Sequence, residues 1–223
     1  MILNDHQIIE AHRRGEIMIE PFLEGQVQGA TYDLRVGEQG LTTSGKKLVN
    51  IRETGLITLQ PGDFAIVTVL EIIRLDSRHV GRFGLRSKFA RKGLSATTGP
   101  QIDPGYHGRL IIGLTNLSPK PITLSYGDDF ISVEFHQLQE ASTRAYSGPY
   151  QDKIALGPEE IETIAESESM ALPEVITTLR SLSHNVGALT KEVKVLEWAI
   201  GIGVALLGVG VAIFAVISAA RLH

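Results

Sequence analysis

Short apolar runs cut apart by turn signals constrain this chain's fold more than any other feature. ITL (57–59), FAIVTVL (64–70), RLIIGL (109–114), ITL (122–124) and ISVEF (131–135) are strand-length and rich in β-branched residues. QPGD (60–63), DPGY (103–106), SPKP (118–121) and YGDD (126–129) separate them. Proline presets φ and glycine supplies positive φ, so each tetrapeptide reverses the chain. Short strands between regular turns predict a mainly β domain, a barrel or a distorted double-sheet roll, over residues 1–154. Only the start reads otherwise. In MILNDHQIIEAHRRG, Asn4 is an N-cap, Ile8, Ile9 and Ala11 form an apolar face, and Gly15 suits the C′ position of a short helix. The charges spread through it exclude a signal peptide.

The chain has 223 residues, 43% of them hydrophobic, enough for a full core. Its formal net charge of -4 creates no field that favours a nucleic acid, and none is expected as a partner. There is no cysteine, which removes disulfides, thiol catalysis and thiolate zinc sites, so any chemistry on a nucleobase would run without zinc.

Three further segments follow. Residues 155–172, ALGPEEIETIAESESMAL, read as an acidic, solvated linker with some helix. In 173–197, Val175, Leu182, Leu189 and Leu196 recur every seven residues and interleave with Leu179, Val186, Val193 and Ile200, the seam of a coiled-coil stalk. β-branched residues at one seam position with Leu at the other favour two strands, although Gly187 interrupts the pattern. Residues 198–220, WAIGIGVALLGVGVAIFAVISAA, carry no charge and are long enough for a transmembrane helix, with Trp198 at the interface. Lys191 and Lys194 on one side against Arg221 on the other place the head in the cytoplasm. The expectation is a long helix running into a single-pass C-terminal membrane anchor.

In the head, RHVGRFGLRSKFARKG (78–93) holds Arg78, Arg82, Arg86, Lys88, Arg91 and Lys92, with no acid between Asp76 and Asp103. Such a density of cations among Gly and Ser suits a polyphosphate. Phe83, Leu85, Phe89 and Leu94, woven between the cations, should anchor the segment in the core.

These stretches carry a resemblance. MILNDHQIIEAHRRGEIMIEPF, GATYDLRVG (29–37), LQPGDFAIVTVLEIIRL (59–75), GLRSKFARKGL (84–94) and QIDPGYHGRLIIGLTN (101–116) together resemble the dCTP deaminase family, the homotrimeric branch of the dUTPase-like fold. The resemblance implies a distorted β-barrel or roll with active sites between the subunits of a trimer, a bound deoxypyrimidine nucleoside triphosphate, and Mg²⁺ on the triphosphate. It implies that Arg86, Ser87 and Arg91 hold the triphosphate and order a catalytic water, with Lys88 in place of a second Ser. It further implies that Asp103 faces the sugar and, in a dUTPase-like reaction, activates water, and that Tyr106 packs on the deoxyribose. Gln101 stands where some members carry an Arg near the base. Tyr150 and Lys153 fall in an altered version of the family's C-terminal lid.

One position departs. The strand after the turn reads Leu110-Ile111-Ile112-Gly113-Leu114, with Gly113 where the family has the Glu that shuttles protons during attack on cytosine C4. A positioned acid–base group contributes about 10²–10⁴-fold in rate. The expectation is therefore a deamination-defective nucleotide-binding head coupled to a membrane, a nucleotide-sensing effector of the kind suited to antiviral defence. A tethered dUTPase-type pyrophosphatase and a working dCTP deaminase remain as alternatives.

Overall fold

The computed structural model describes residues 1–167, 181–183, 186, 189, 193–194 and 198. The elements of the head are α1 (Asp5–Arg13), β1 (Ile17–Glu20), β2 (Tyr32–Thr42), β3 (Val49–Asn50), α2 (Ile51–Thr54), β4 (Leu56–Leu59), β5 (Phe64–Leu75) and β6 (His79–Leu85). They continue with α3 (Ser87–Ala90), β7 (Leu94–Ala96), β8 (Gln101–Ile102), β9 (His107–Asn116), β10 (Ile122–Ser125), β11 (Asp129–Gln137) and α4 (Pro158–Ser167). The head is mainly β, as its punctuation predicts. Its nine-stranded sheet runs β7-β9-β5-β2-β11-β6-β8, with β1 added to β5 and β3 to β2, while β10 and β4 form a separate pair. The path ends at β7 and β8, so hydrogen bonding does not close it into a barrel.

The turns work through their side chains. The Asp63 carboxylate that ends QPGD is fully buried and accepts from Gln60 N, Ser44 N, Ser44 Oγ and Thr43 Oγ1, tying two loops together. Asn116, also buried, donates to the carbonyls of Leu59 and Lys120 and accepts from Ser118, which shapes the SPKP bend. At the N-terminus, Asn4 Oδ1 accepts from Gln7 N at 3.0 Å and Gln7 Oε1 from Asn4 N at 3.0 Å, a capping box.

β5 is the spine. Its later half pairs with β1 (Ile17↔Leu75), its earlier half with β2 (Thr42↔Ala65), and its other edge with β9 (Phe64↔Thr115 to Arg74↔His107). The pairing of β2 with β5 shifts register between Val36 and Gly40. Gly37 sits in that irregularity, where a Cβ would lie 2.4 Å from the Val69 carbonyl oxygen, so only glycine lets the strands cross so closely. One core cluster, including Tyr32, Leu34, Val67, Ile112, Phe130 and Phe135, lies under this sheet.

The segment expected as a linker does more than link. Pro158 opens α4, and Glu159 and Glu160 occupy its first turn, where the helix dipole favours them. Ile164 and Leu156 bury themselves in a second cluster with Leu41 and Ile66, packed by Phe64 and Ile111. The acidic composition hid this because two apolar residues are enough to dock one helical turn. Replacing Ile164 with Asp is expected to release α4, since a buried charge without a partner costs more than this small contact returns. Limited proteolysis should then cut within 158–167 while the sheet stays intact.

The chain divides into two units, Met1–Pro173 and Glu174–His223. In the second, Leu182, Val186, Leu189 and Val193 are helical and exposed. The remaining seam positions expected for the coiled coil, and the expected span at 198–220 apart from Trp198, lie outside the described residues. Among the described residues no helix is long and apolar enough to cross a membrane.

Candidate functional site

A cavity of ≈ 340 Å³ opens where β9 faces the segment after β7. Its walls are aromatic (Phe64, Phe83, Tyr106, Tyr146 and Tyr150) and its polar groups are Thr97, Thr98, Gln101, Glu160 and Thr163. The backbone of Gly113 forms part of the lining.

The local sequence explains the geometry. β7 pairs with β9 as far as Ala96↔Leu114, and Thr97 N then donates to the Gly113 carbonyl at 2.9 Å. Beyond that the pairing changes kind: Gly113 N donates to Thr98 Oγ1 at 2.5 Å, a hydroxyl in place of a strand carbonyl. A Cβ on residue 113 would lie 2.6 Å from Thr97 Oγ1 and 3.2 Å from both Phe64 Cε2 and Thr98 Oγ1. The two threonines have closed around the glycine.

The Asp-Pro-Gly turn feeds β9 into this wall. Gly105, at φ 81°, takes the left-handed conformation of the turn, and Tyr106 N donates to the Asp103 carbonyl at 3.1 Å. The Tyr106 side chain is buried, its hydroxyl donates to the Arg109 carbonyl at 2.9 Å, and its ring meets Tyr146 edge-on at 5.5 Å. Burial first, and the neighbouring Tyr146 second, push the Tyr106 phenol well above its ordinary value, so it stays neutral. Asp103 is half-buried and its Oδ1 accepts from Gln101 Nε2 at 2.5 Å, which joins the acid of the turn to a residue of the cavity wall.

Of the residues expected from sequence, the cavity thus gathers Gln101, Tyr106, Tyr150 and position 113, with Asp103 beside Gln101. Lys153 stands behind the wall. Its Nζ pairs with Glu160, lies 3.7 Å from Glu159 Oε2 and sits 5.0 Å from the Tyr150 ring centroid. The cationic group is elsewhere: Arg86, Ser87, Lys88 and Arg91 surround α3 and do not line this cavity. Arg86 Nη1 donates to Asp33 Oδ2 at 2.5 Å and reaches Asp129 Oδ2 at 3.3 Å, while Ser132 Oγ donates to Asp33 Oδ1 at 2.5 Å. Phe89, fully buried, anchors α3, with the ammonium groups of Lys88 and Lys92 at 5.1 and 5.6 Å from its ring centroid. Within one chain the cations and the cavity are separate features.

Sequence reasoning missed Thr97, Thr98, Thr163 and Glu160. The Thr pair falls in an unpatterned loop, and Glu160 falls in an acidic run that resembles solvated surface. Glu160 is in fact buried, with Oε1 accepting from Lys153 Nζ and Oε2 from Gly157 N at 2.7 Å. Burial works to raise its pKa, but the hydrogen bonds from Lys153 and Gly157 and the Lys153 charge outweigh it and hold the carboxyl below the ordinary glutamate value. A depressed carboxyl pKa contributes stability above the unfolded value and loses it as pH falls through the folded one. α4 should therefore stay docked at neutral pH and loosen below the usual glutamate range, seen as faster amide exchange in 158–167.

Among the described residues there is no group of three or more His, Asp or Glu side chains able to hold a metal ion.

Comparison with known proteins follows the head. Residues 2–138 match the family model described as dCTP deaminase-like. The dCTP deaminase of Thermococcus sibiricus is 39% identical over 151 residues, covering 68% of this chain and 92% of the relative. That of Pyrococcus horikoshii is 35% identical over 156 residues, covering 70% and 95%. A dUMP-forming dCTP deaminase of Aquifex aeolicus is 29% identical over 179 residues, covering 76% and 99%. Among solved structures, the 2'-deoxycytidine 5'-triphosphate deaminase of Agrobacterium tumefaciens matches with a TM-score of 0.52 at 20% identity, covering 75% of this chain and 53% of that one, a likeness of fold.

Proposed function

From the premise that the chain belongs to the dCTP deaminase-like family, we propose that its head binds a deoxypyrimidine nucleoside triphosphate, carried with Mg²⁺, and does not deaminate it. The observation that carries this reading is position 113. It has no carboxylate, its N–H is taken by Thr98, and the space beside it is filled by Thr97. Glu160, the carboxylate that does line the cavity, is paired with Lys153 and held below the ordinary glutamate value, which makes it a weak proton acceptor.

The aromatic cavity would take the base and sugar, with Tyr106 as the flat surface beneath the sugar. The cations around α3 do not line it, so the triphosphate would be gripped by Arg86, Ser87, Lys88 and Arg91 of a neighbouring copy, in keeping with a trimer. The exposed helical positions Leu182, Leu189 and Val193 fit a coiled-coil stalk, the uncharged run 198–220 fits a membrane anchor, and Lys191 and Lys194 against Arg221 favour a cytoplasmic head. In this reading the protein is a membrane-tethered nucleotide sensor, which would serve a cell whose deoxynucleotide pools are disturbed by infection.

A second reading rests on Asp103. Its carboxylate is half-buried and bonded to Gln101 of the cavity wall, and in this reading it would hold the attacking water that a pyrophosphatase needs. The dUMP-forming activity in the name of the Aquifex aeolicus relative is the matching precedent. Incubating the full chain with Mg²⁺ and either dCTP or dUTP, then resolving the products, separates the readings. Both nucleotides should be recovered unchanged while raising the melting temperature. Release of dUMP and pyrophosphate would make Asp103 catalytic, and dUTP formed from dCTP would overturn the reading of position 113.

A further inference from the structure

The cavity contains one side chain with a formal charge. Its lining is aromatic, aliphatic, hydroxyl or amide except for Glu160, and no Lys or Arg belongs to it. A phosphate chain placed inside would meet no counter-charge, so the space suits the uncharged nucleoside half of a ligand. Glu160 arrives from α4, beyond the matched family segment 2–138. It is 3% exposed and belongs to the cavity lining.

Its hydrogen-bonding valence can be counted. An ionised carboxylate offers about four lone-pair sites and no donor. Lys153 Nζ takes one at Oε1 and Gly157 N–H takes one at Oε2. About two acceptor sites remain. The Thr97 and Thr98 hydroxyls, which also line the cavity, differ in kind, because a hydroxyl turns to donate or to accept. They tolerate either edge of a base. Glu160 does not: a group that donates is held, and a carbonyl oxygen in the same place faces a negative charge with no proton between them.

We propose that Glu160 is a specificity residue, reading the ligand's base through a hydrogen bond from an exocyclic amino group and so favouring a 4-aminopyrimidine over a 4-oxopyrimidine. This rests on the nucleotide-binding reading above and adds the class of base. Glu160 thereby supplies an acid to the cavity from a helix, at a site whose strand position 113 has none.

The test titrates the full chain with dCTP and with dUTP by calorimetry, comparing wild type, Glu160→Gln and Ile164→Ala. Wild type should bind dCTP about 10–100-fold more tightly than dUTP, the range of one charge-assisted hydrogen bond. Glu160→Gln, the same size but with an amide that can donate, should erase that ratio by weakening dCTP and strengthening dUTP. Ile164→Ala loosens α4 without touching the carboxylate, so it should weaken both nucleotides together and keep the ratio. Equal affinities in wild type would overturn the proposal. So would a Glu160→Gln variant that scales both affinities alike, because Glu160 would then only dock the helix. Binding of neither nucleotide to wild type would overturn the nucleotide reading as well, which distinguishes the two failures.

Discussion

Replacing Glu71 with Ala is expected to destabilise the head by about 3–5 kcal/mol, the usual cost of leaving one member of a buried ion pair alone. Glu71 on β5 is fully buried and accepts twice from Arg35 on β2, from Nε at 2.7 Å and from the backbone N–H at 3.0 Å. The pair sits beside the β2–β5 irregularity at Gly37, where ladder bonds are interrupted and the carboxylate takes up a backbone donor. Arg35 has little to fall back on: its Nη2 is already buried without a hydrogen-bond partner. Burial raises the Glu71 pKa, and the bonds from Arg35 only partly offset it. A carboxyl whose folded pKa is raised binds its proton more readily in the native state, so ionising it costs stability as pH climbs from the ordinary glutamate value through the folded one. Glu71→Gln removes that pH dependence and keeps one acceptor, so it should be the milder variant. Thermal melts check both, at about 2–4 °C per kcal/mol for a chain of this size. A melting temperature for Glu71→Ala near wild type would mean that the Arg35 side chain swings out to solvent.

The second large effect is a gain. Gly113→Glu combined with Thr97→Ala is expected to raise conversion of dCTP to dUTP by about 10²–10⁴-fold over the parent chain, the contribution of one positioned general base. The pair is needed because Thr97 Oγ1 lies 2.6 Å from where the new Cβ must go. Gly113→Glu alone should gain less, as its side chain has to push Thr97 aside. Chromatography of the products decides it. An unchanged rate in the double variant would show that position 113 is one loss among several, with Gln101 the next residue to exchange.

These outcomes bear on what could be read from the chain unaided. The turns were legible because their chemistry is local: Asp63 and Asn116 bind groups a few residues away or in the adjoining loop. The N-terminal helix was legible for the same reason, through the reciprocal bonds of Asn4 and Gln7. Half the candidate site was also legible, since Gln101, Tyr106 and Gly113 lie in one quoted stretch that folds as turn and strand. Which strands end the sheet, β7 and β8, was not, because closure depends on which edges meet. Nor was Glu160, whose partner Lys153 sits on the preceding turn and whose helix is docked through Ile164, with Leu156 just before it, against a small apolar cluster. Thr97 and Thr98 carry no signal either. Their role appears only when β9 brings Gly113 beside them.

The docking of α4 has a consequence for mass action. The helix is a wall of the cavity, and a short apolar contact and the Lys153 ion pairs to Glu159 and Glu160 help hold it. A ligand that touches Glu160 or Thr163 binds the docked form and not the released one, so its concentration is converted into holding energy for this helix. At a hundredfold excess over Kd that amounts to about 2.7 kcal/mol, comparable to burying one large aliphatic side chain. How firmly α4 is fastened would thus rise and fall with the logarithm of the concentration of whatever fills the cavity.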